Sequence, residues 1–248
     1  TYAEQLHSNP QQEKLGFIGS LKEIVKNDQL LMVVLATILG TICVSGRMGL
    51  LTYYIIYVVG DYTVIATVFT TMTIAQLIGN FFIPWGTKTF TKKWYLIILN
   101  IIMCIGFLLM FINPTDNKPY LLGVSFICGL CNSSSSVCFG LVSDSIEYGD
   151  WKLGRRQEGI AASMLSFGVK LSTAISGSAG VLLLAAAGYV AGAEQTAAAK
   201  QGINMVVNMV PFVIGLLSCV PLLFYKLTPK KVEEIRADLD AGKRACDK

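Results

Sequence analysis

Charge is what this sequence lacks most. Lys, Arg, Asp and Glu supply 15% of its 248 residues and hydrophobic residues 53%, against roughly 25% charged in an ordinary globular chain. The deficit is localised. Residues 62–87, 94–115, 119–143 and 201–225 carry no charge, while 29–60 and 159–193 carry one each, Arg47 and Lys170. A run of about 20 apolar residues crosses a bilayer as a helix, and six stretches of 22 to 35 residues reach that length. This excludes a soluble globular fold and predicts an all-α membrane protein with six transmembrane helices.

Histidine is almost missing too. His7 is the only one, and no Asp or Glu falls inside a span. An intramembrane enzyme, which needs a nucleophile with a base or a metal set, is therefore not expected. The close pair Cys128-x-x-Cys131 lacks a second pair of ligands, so no metal site is predicted in this chain and its span cysteines read as small hydrophobes. No cofactor and no nucleic-acid partner is expected. The first residues lack the basic, apolar, small-residue order of a cleaved signal, and the chain starts at Thr1 without Met, which reads as a fragment.

The few charges outside the spans set a topology. Lys88, Lys92 and Lys93 lie in the second connector, and Lys152, Arg155 and Arg156 in the fourth. The first has only Asp61, the third Asp116 and Lys118, and the fifth Glu194 and Lys200. Basic residues thus favour alternate connectors, and such connectors stay cytoplasmic. The reading is a cytoplasmic lead-in over 1–28, a membrane bundle over 29–227 and a cytoplasmic tail over 228–248, in a multi-pass protein of the inner or plasma membrane. Pro84-Trp85-Gly86 is expected to close the second span. Ile18, Leu21, Ile24 and Val25 suggest a short interfacial helix. Thr228-Pro229, with Val232, Ile235 and Leu239 on one face, suggests a helix in the tail.

Arg47 and Lys170 stand at membrane depth, where a lipid-facing cation costs from about 3 to above 10 kcal/mol. Ser163, Ser166, Lys170 and Thr173 recur at intervals of 3, 4 and 3, one stripe of a helix. Asn132 and the run Ser133 to Ser136, including Ser135, mark the fourth span, and Tyr54 shares the first with Arg47. These side chains are candidate substrate contacts, although Ser and Gly also serve close helix packing and Arg47 equally suits pinning helices together. No span carboxylate balances the two cations. Their partner is a bound anion, an acid from a connector, or polypeptide outside this chain. Six spans are half of the twelve in a transporter built from two six-helix halves. The connector residues Asp144, Glu147, Asp150, Lys152, Arg155, Arg156 and Glu158 intersperse both signs and suit a gate of exchangeable salt bridges.

The stretch Asp144-Ser-Ile-Glu147-Tyr148-Gly-Asp150-Trp-Lys152-Leu-Gly154-Arg155-Arg156-Gln-Glu158-Gly159, followed by Ser163, Phe167 and Lys170, strongly resembles the glycoside-pentoside-hexuronide:cation symporters. Tyr53-Tyr54 with Tyr57, and Tyr225-Lys226-Leu227, are further matching marks. The resemblance covers essentially the whole chain and is to the C-terminal half of that family. It implies a major-facilitator fold with these spans as helices 7–12, symport of a glycoside, pentoside or hexuronide with Na⁺ or H⁺ (Li⁺ being a further option), and a partner N-terminal half. It also implies that Lys170 lies near the sugar and cation sites and that Ser166 faces the sugar. A transporter of another solute such as a lysolipid, or a non-transporting membrane sensor, are the alternative readings.

Overall fold

The structure is a computed structural model that describes residues 26–113, 117–154 and 158–245. The expected lead-in helix over 18–25 and the gate residues Arg155 and Arg156 lie outside the described residues. Among the described residues, six helical stretches are long and apolar enough to cross a membrane.

The first span is α1 (Asp28–Tyr54), extended by a π-helical turn over Ile55–Val59. Asn27 starts it: its side-chain oxygen accepts from Leu30 N at 3.1 Å, satisfying a backbone donor at the helix end. Gly60, at φ 83°, ends it in the left-handed region. The second span is α2 (Ile65–Thr89) and the third α3 (Lys92–Ile112). The fourth is broken into α4 (Lys118–Cys131) and α5 (Ser134–Leu153). At the break the Ser133 hydroxyl donates to Leu130 O at 2.8 Å, the local side-chain bonding with which serine competes against a continuous helix. The fifth span is α6 (Glu158–Ala186). The sixth comprises α7 (Ala197–Asn204), a π-helical turn over Met205–Met209 and α8 (Val210–Phe224). A tail helix, α9 (Pro229–Asp240), is capped by Thr228, whose side chain accepts from Lys231 N.

Two expected boundaries are corrected. Pro84 does not close the second span, because α2 runs through it to Thr89, as membrane helices tolerate an internal proline. The connector expected from Asp144 onward is helical as far as Leu153. Nothing breaks the helix before Gly154 at φ 69°, and the charges there have partners close by.

Helix α1 is the hub, packing against α5, α6 and α8, while α2 packs chiefly on α4. The α2–α4 seam needs glycine: a Cβ on Gly129 would stand 2.5 Å from Met72 O, and one on Gly79 2.5 Å from Leu130 O. Such small-residue approach replaces the hydrophobic drive that helices lack in lipid. Ala161, Gly168, Ser172, Ser176, Gly180 and Leu184 form the buried edge of α6. Ser172 and Ser176 donate across the seam to Ile38 O and Ile42 O of α1, at 3.2 and 3.3 Å.

Candidate functional site

The stripe Ser163, Ser166, Lys170 and Thr173 occupies the opposite, exposed side of α6. Lys170 follows Glu158 by 12 residues and precedes Ala186 by 16, which puts it about 18 Å along the helix at 1.5 Å per residue. The hydroxyls of Ser163 and Thr173 donate back to Gly159 O and Val169 O, at 2.8 and 2.9 Å. Their lone pairs remain available for a ligand, and no described acid forms an ion pair with Lys170.

A second polar group forms where α2 meets the break in span four. Asn132 Nδ2 donates to Gln76 Oε1 at 3.0 Å and Ser136 Oγ to Asn80 Oδ1 at 3.2 Å. Ser135 is exposed, and its hydroxyl donates to Asn132 O at 3.3 Å. Gln76 and Asn80 escape a reading keyed to charge, yet Thr73, Gln76, Asn80 and Thr87, spaced 3, 4 and 7 apart, mark one helix face in the sequence. No described hydrogen bond joins this group to the α6 stripe.

Arg47 and Tyr54 are placed elsewhere, inside the bundle. Arg47 is 2% exposed and Tyr54 1%, because α1 is covered on several sides. The Tyr54 hydroxyl donates to Met110 O at 3.0 Å. Arg47 Nη2 lies 2.8 Å from Met110 Sδ and 3.5 Å from Asn208 Oδ1, with the guanidinium carbon 4.5 Å from the Phe107 ring centre. Asn208 in turn donates to Asn204 Oδ1 at 2.8 Å, and Asn204 to Phe111 O at 2.9 Å. Asn204 and Asn208, four apart in an uncharged run, are further polar residues that charge alone does not reveal.

The described residues of the expected gate sit at one end of the bundle. Lys92 Nζ contacts Asp144 Oδ2 at 2.7 Å, and Arg236 of α9 reaches Glu147 Oε2 at 2.6 Å and Asp144 Oδ1 at 3.4 Å. The Glu147 carboxylate raises the Arg236 pKa above its ordinary value. Arg244 meets Asp150 at 3.2 Å, and Lys152 meets Asp28 at 2.7 Å. Glu158 opens α6. Asp144, Glu147 and Asp150 thus have ion-pair partners within this bundle, of which Arg236 and Arg244 come from the tail. At the opposite end Lys118 contacts Asp61 at 2.9 Å.

The description MFS/sugar transport protein belongs to a family model that matches residues 1–229. The chain belongs to this family. It is similar to the uncharacterized symporter YjmB of Bacillus subtilis, 30% identical over 240 residues that cover 94% of this chain and 51% of the relative. It is similar also to the isoprimeverose transporter of Lactiplantibacillus pentosus, 30% identical over 89% of this chain and 46% of the relative. The glucuronide carrier protein homolog of Escherichia coli is 30% identical over 91% of this chain and 50% of its own length. The chain spans about half the length of these curated relatives. The MFS sugar-transport family and these names are those of transporters rather than enzymes, and the six apolar helices make the chain a multi-pass membrane protein.

Proposed function

We propose that the chain is the C-terminal half of a secondary active symporter that moves a glycoside, pentoside or hexuronide with Na⁺ or H⁺ by alternating access. The observation that carries this reading is the exposed polar stripe of α6 with Lys170 at membrane depth. Such a cation is too costly against lipid, so a second bundle covers that face and supplies its counter-charge and a shared, water-lined cavity. Lys170, Ser166, Ser163 and Thr173 then contact substrate from α6, with Asn132 and Ser135 contributing from the break in span four. The basic residues gathered at the Lys92 and Arg236 end favour a cytoplasmic placement of both termini in the cell membrane. Vesicle uptake tests the reading. This chain alone is expected not to accumulate a labelled glycoside, while co-expression with an N-terminal half restores uptake driven by a Na⁺ or H⁺ gradient. Concentrative uptake by the chain alone, or lipid translocation in place of sugar uptake, would overturn it.

A further inference from the structure

The surface of α2 is divided lengthwise. Val68, Met72, Ala75 and Gly79 form its buried edge, and on the far side the exposed Ile74, Leu77, Phe81 and Trp85 make an apolar surface of the kind that lipid covers. Between the two run Thr73, Gln76 and Asn80 at helical spacing, with both amides half-buried. Gln76 stands 11 residues after Ile65 and 13 before Thr89, close to the middle of its span. An amide hydrogen without an acceptor is costly at that depth in lipid, so this flank faces polar groups or water rather than acyl chains.

Helix pairing does not use these amides up. Gln76 and Asn80 each accept one bond through the side-chain oxygen, from Asn132 Nδ2 and Ser136 Oγ. An amide nitrogen carries two hydrogens, and among the described residues neither Gln76 Nε2 nor Asn80 Nδ2 donates to a partner. Asn132 keeps a second amide hydrogen and its side-chain oxygen. The break between α4 and α5 sets these groups and the exposed Ser135 beside the α2 flank. No Lys, Arg, Asp or Glu occurs in 62–87 or 119–143, so the wall supplies no counter-ion to a carboxylate or an ammonium. Its mixture of N–H donors with carbonyl and hydroxyl acceptors matches neutral hydroxyl groups, each of which donates and accepts.

We infer that Gln76 and Asn80, held in place by Asn132 and Ser136, determine specificity by reading uncharged hydroxyls of the substrate, which rests on the symporter reading above. The test is uptake by the reconstituted full-length protein of labelled methyl glycosides of glucose, galactose and xylose and of their monodeoxy forms. The wild-type protein should prefer a parent glycoside over at least one of its monodeoxy forms by about tenfold or more in maximal rate over KM, because an analogue lacking the hydroxyl leaves site groups unpaired. Gln76→Met and Asn80→Leu should each lose about tenfold on the parent, keep the rate on a deoxy form and so abolish the preference at one hydroxyl position. Damage to helix packing alone would depress parent and deoxy sugars together. Equal losses on both, or a preference unchanged in both variants, would overturn the assignment while leaving sugar transport standing. No uptake of any of these glycosides by the wild-type protein would overturn the symporter reading and the assignment with it. Should Gln76→Met and Asn80→Leu fail to reach the membrane, Gln76→Asn and Asn80→Ser, which keep a polar group, decide by the same ratio.

Discussion

Arg47 and Lys170 carry the same signature, a lone cation in an otherwise uncharged span, and the fold treats them in opposite ways. Arg47 lies on the hub helix α1 and is closed in by α3 and the π-helical turn of span six; Lys170 lies on the free face of α6. The difference comes from helix phase and neighbours. Helix α6 is covered along one edge only, so its polar residues divide into an inward pair, Ser172 and Ser176, and an outward stripe on the opposite side. The cost of a bare cation in the membrane is similar for both, yet Arg47 is met by sulfur, amide and ring contacts within the bundle, whereas Lys170 turns away from it.

The sharpest way to break this comparison is to remove each cation. Lys170→Leu should leave the carboxylates of a covering half unpaired, a loss of roughly 3–5 kcal/mol, and coupled uptake in reconstituted full-length protein should collapse with membrane insertion intact. Lys170→Arg should recover only part of the activity, because the guanidinium alters the geometry. Arg47→Leu should spare folding by comparison, since apolar replacement of a buried ion is often neutral. Normal cation-dependent uptake in Lys170→Leu would place the stripe against lipid and end the contrast.

Glycines on the two kinds of face extend the test. Gly129→Val should destabilise the bundle by roughly 1–3 kcal/mol through overpacking, because its Cβ meets Met72 O and the Ala75 side chain. Gly177, which continues the Lys170 stripe, has nothing within 4 Å of an added Cβ. Gly177→Val should therefore change unfolding of this bundle by no more than about 0.5 kcal/mol while weakening its association with a second bundle, measurable by co-purification.

The six spans were legible because charge depletion over more than 20 residues has few other causes, and the depth of both cations followed from residue counting. Their faces were not equally legible. Periodicity singled out the stripe on α6, which has one covered edge, but on α1 it could not separate inside from outside when several helices pack around it. Uncharged amides such as Gln76, Asn80, Asn204 and Asn208 were passed over because nothing in a charge count marks them. The helical course of Asp144 to Leu153 was hidden by treating charge as the mark of a connector, whereas Lys92, Arg236 and Arg244 partner its acids.

The two ends of the bundle offer the smaller contrasts. Arg236→Gln removes the contacts of α9 to Glu147 and Asp144, and with Arg236 half exposed the stability loss should stay at or below about 1 kcal/mol. Because these contacts hold the tail to the end of span four, the variant should alter uptake rate more than sugar affinity. Equal rates for net uptake and exchange in mutant and wild type would count against any role in switching.

The least effect is expected at the opposite end, where Asp61 joins the α1–α2 connector to the start of α4. Its carboxylate accepts from the Thr63 hydroxyl and backbone N–H and pairs with Lys118, and these contacts lower its pKa from 3.8 to about 2. A carboxylate held below its unfolded value stabilises the folded state above that value, and the contribution fades as pH falls from about 4 toward 2. Asp61→Asn should thus flatten the pH dependence of melting between about pH 4 and 2, and its shift, small because the pair is exposed, should be largest near neutrality and vanish toward pH 2. Asp28, at the other end, also meets a lysine, and Asp28→Asn provides the matched control. If Asp61→Asn shifted melting at pH 2 as much as at pH 7, the connector would depend on packing rather than on its ion pair.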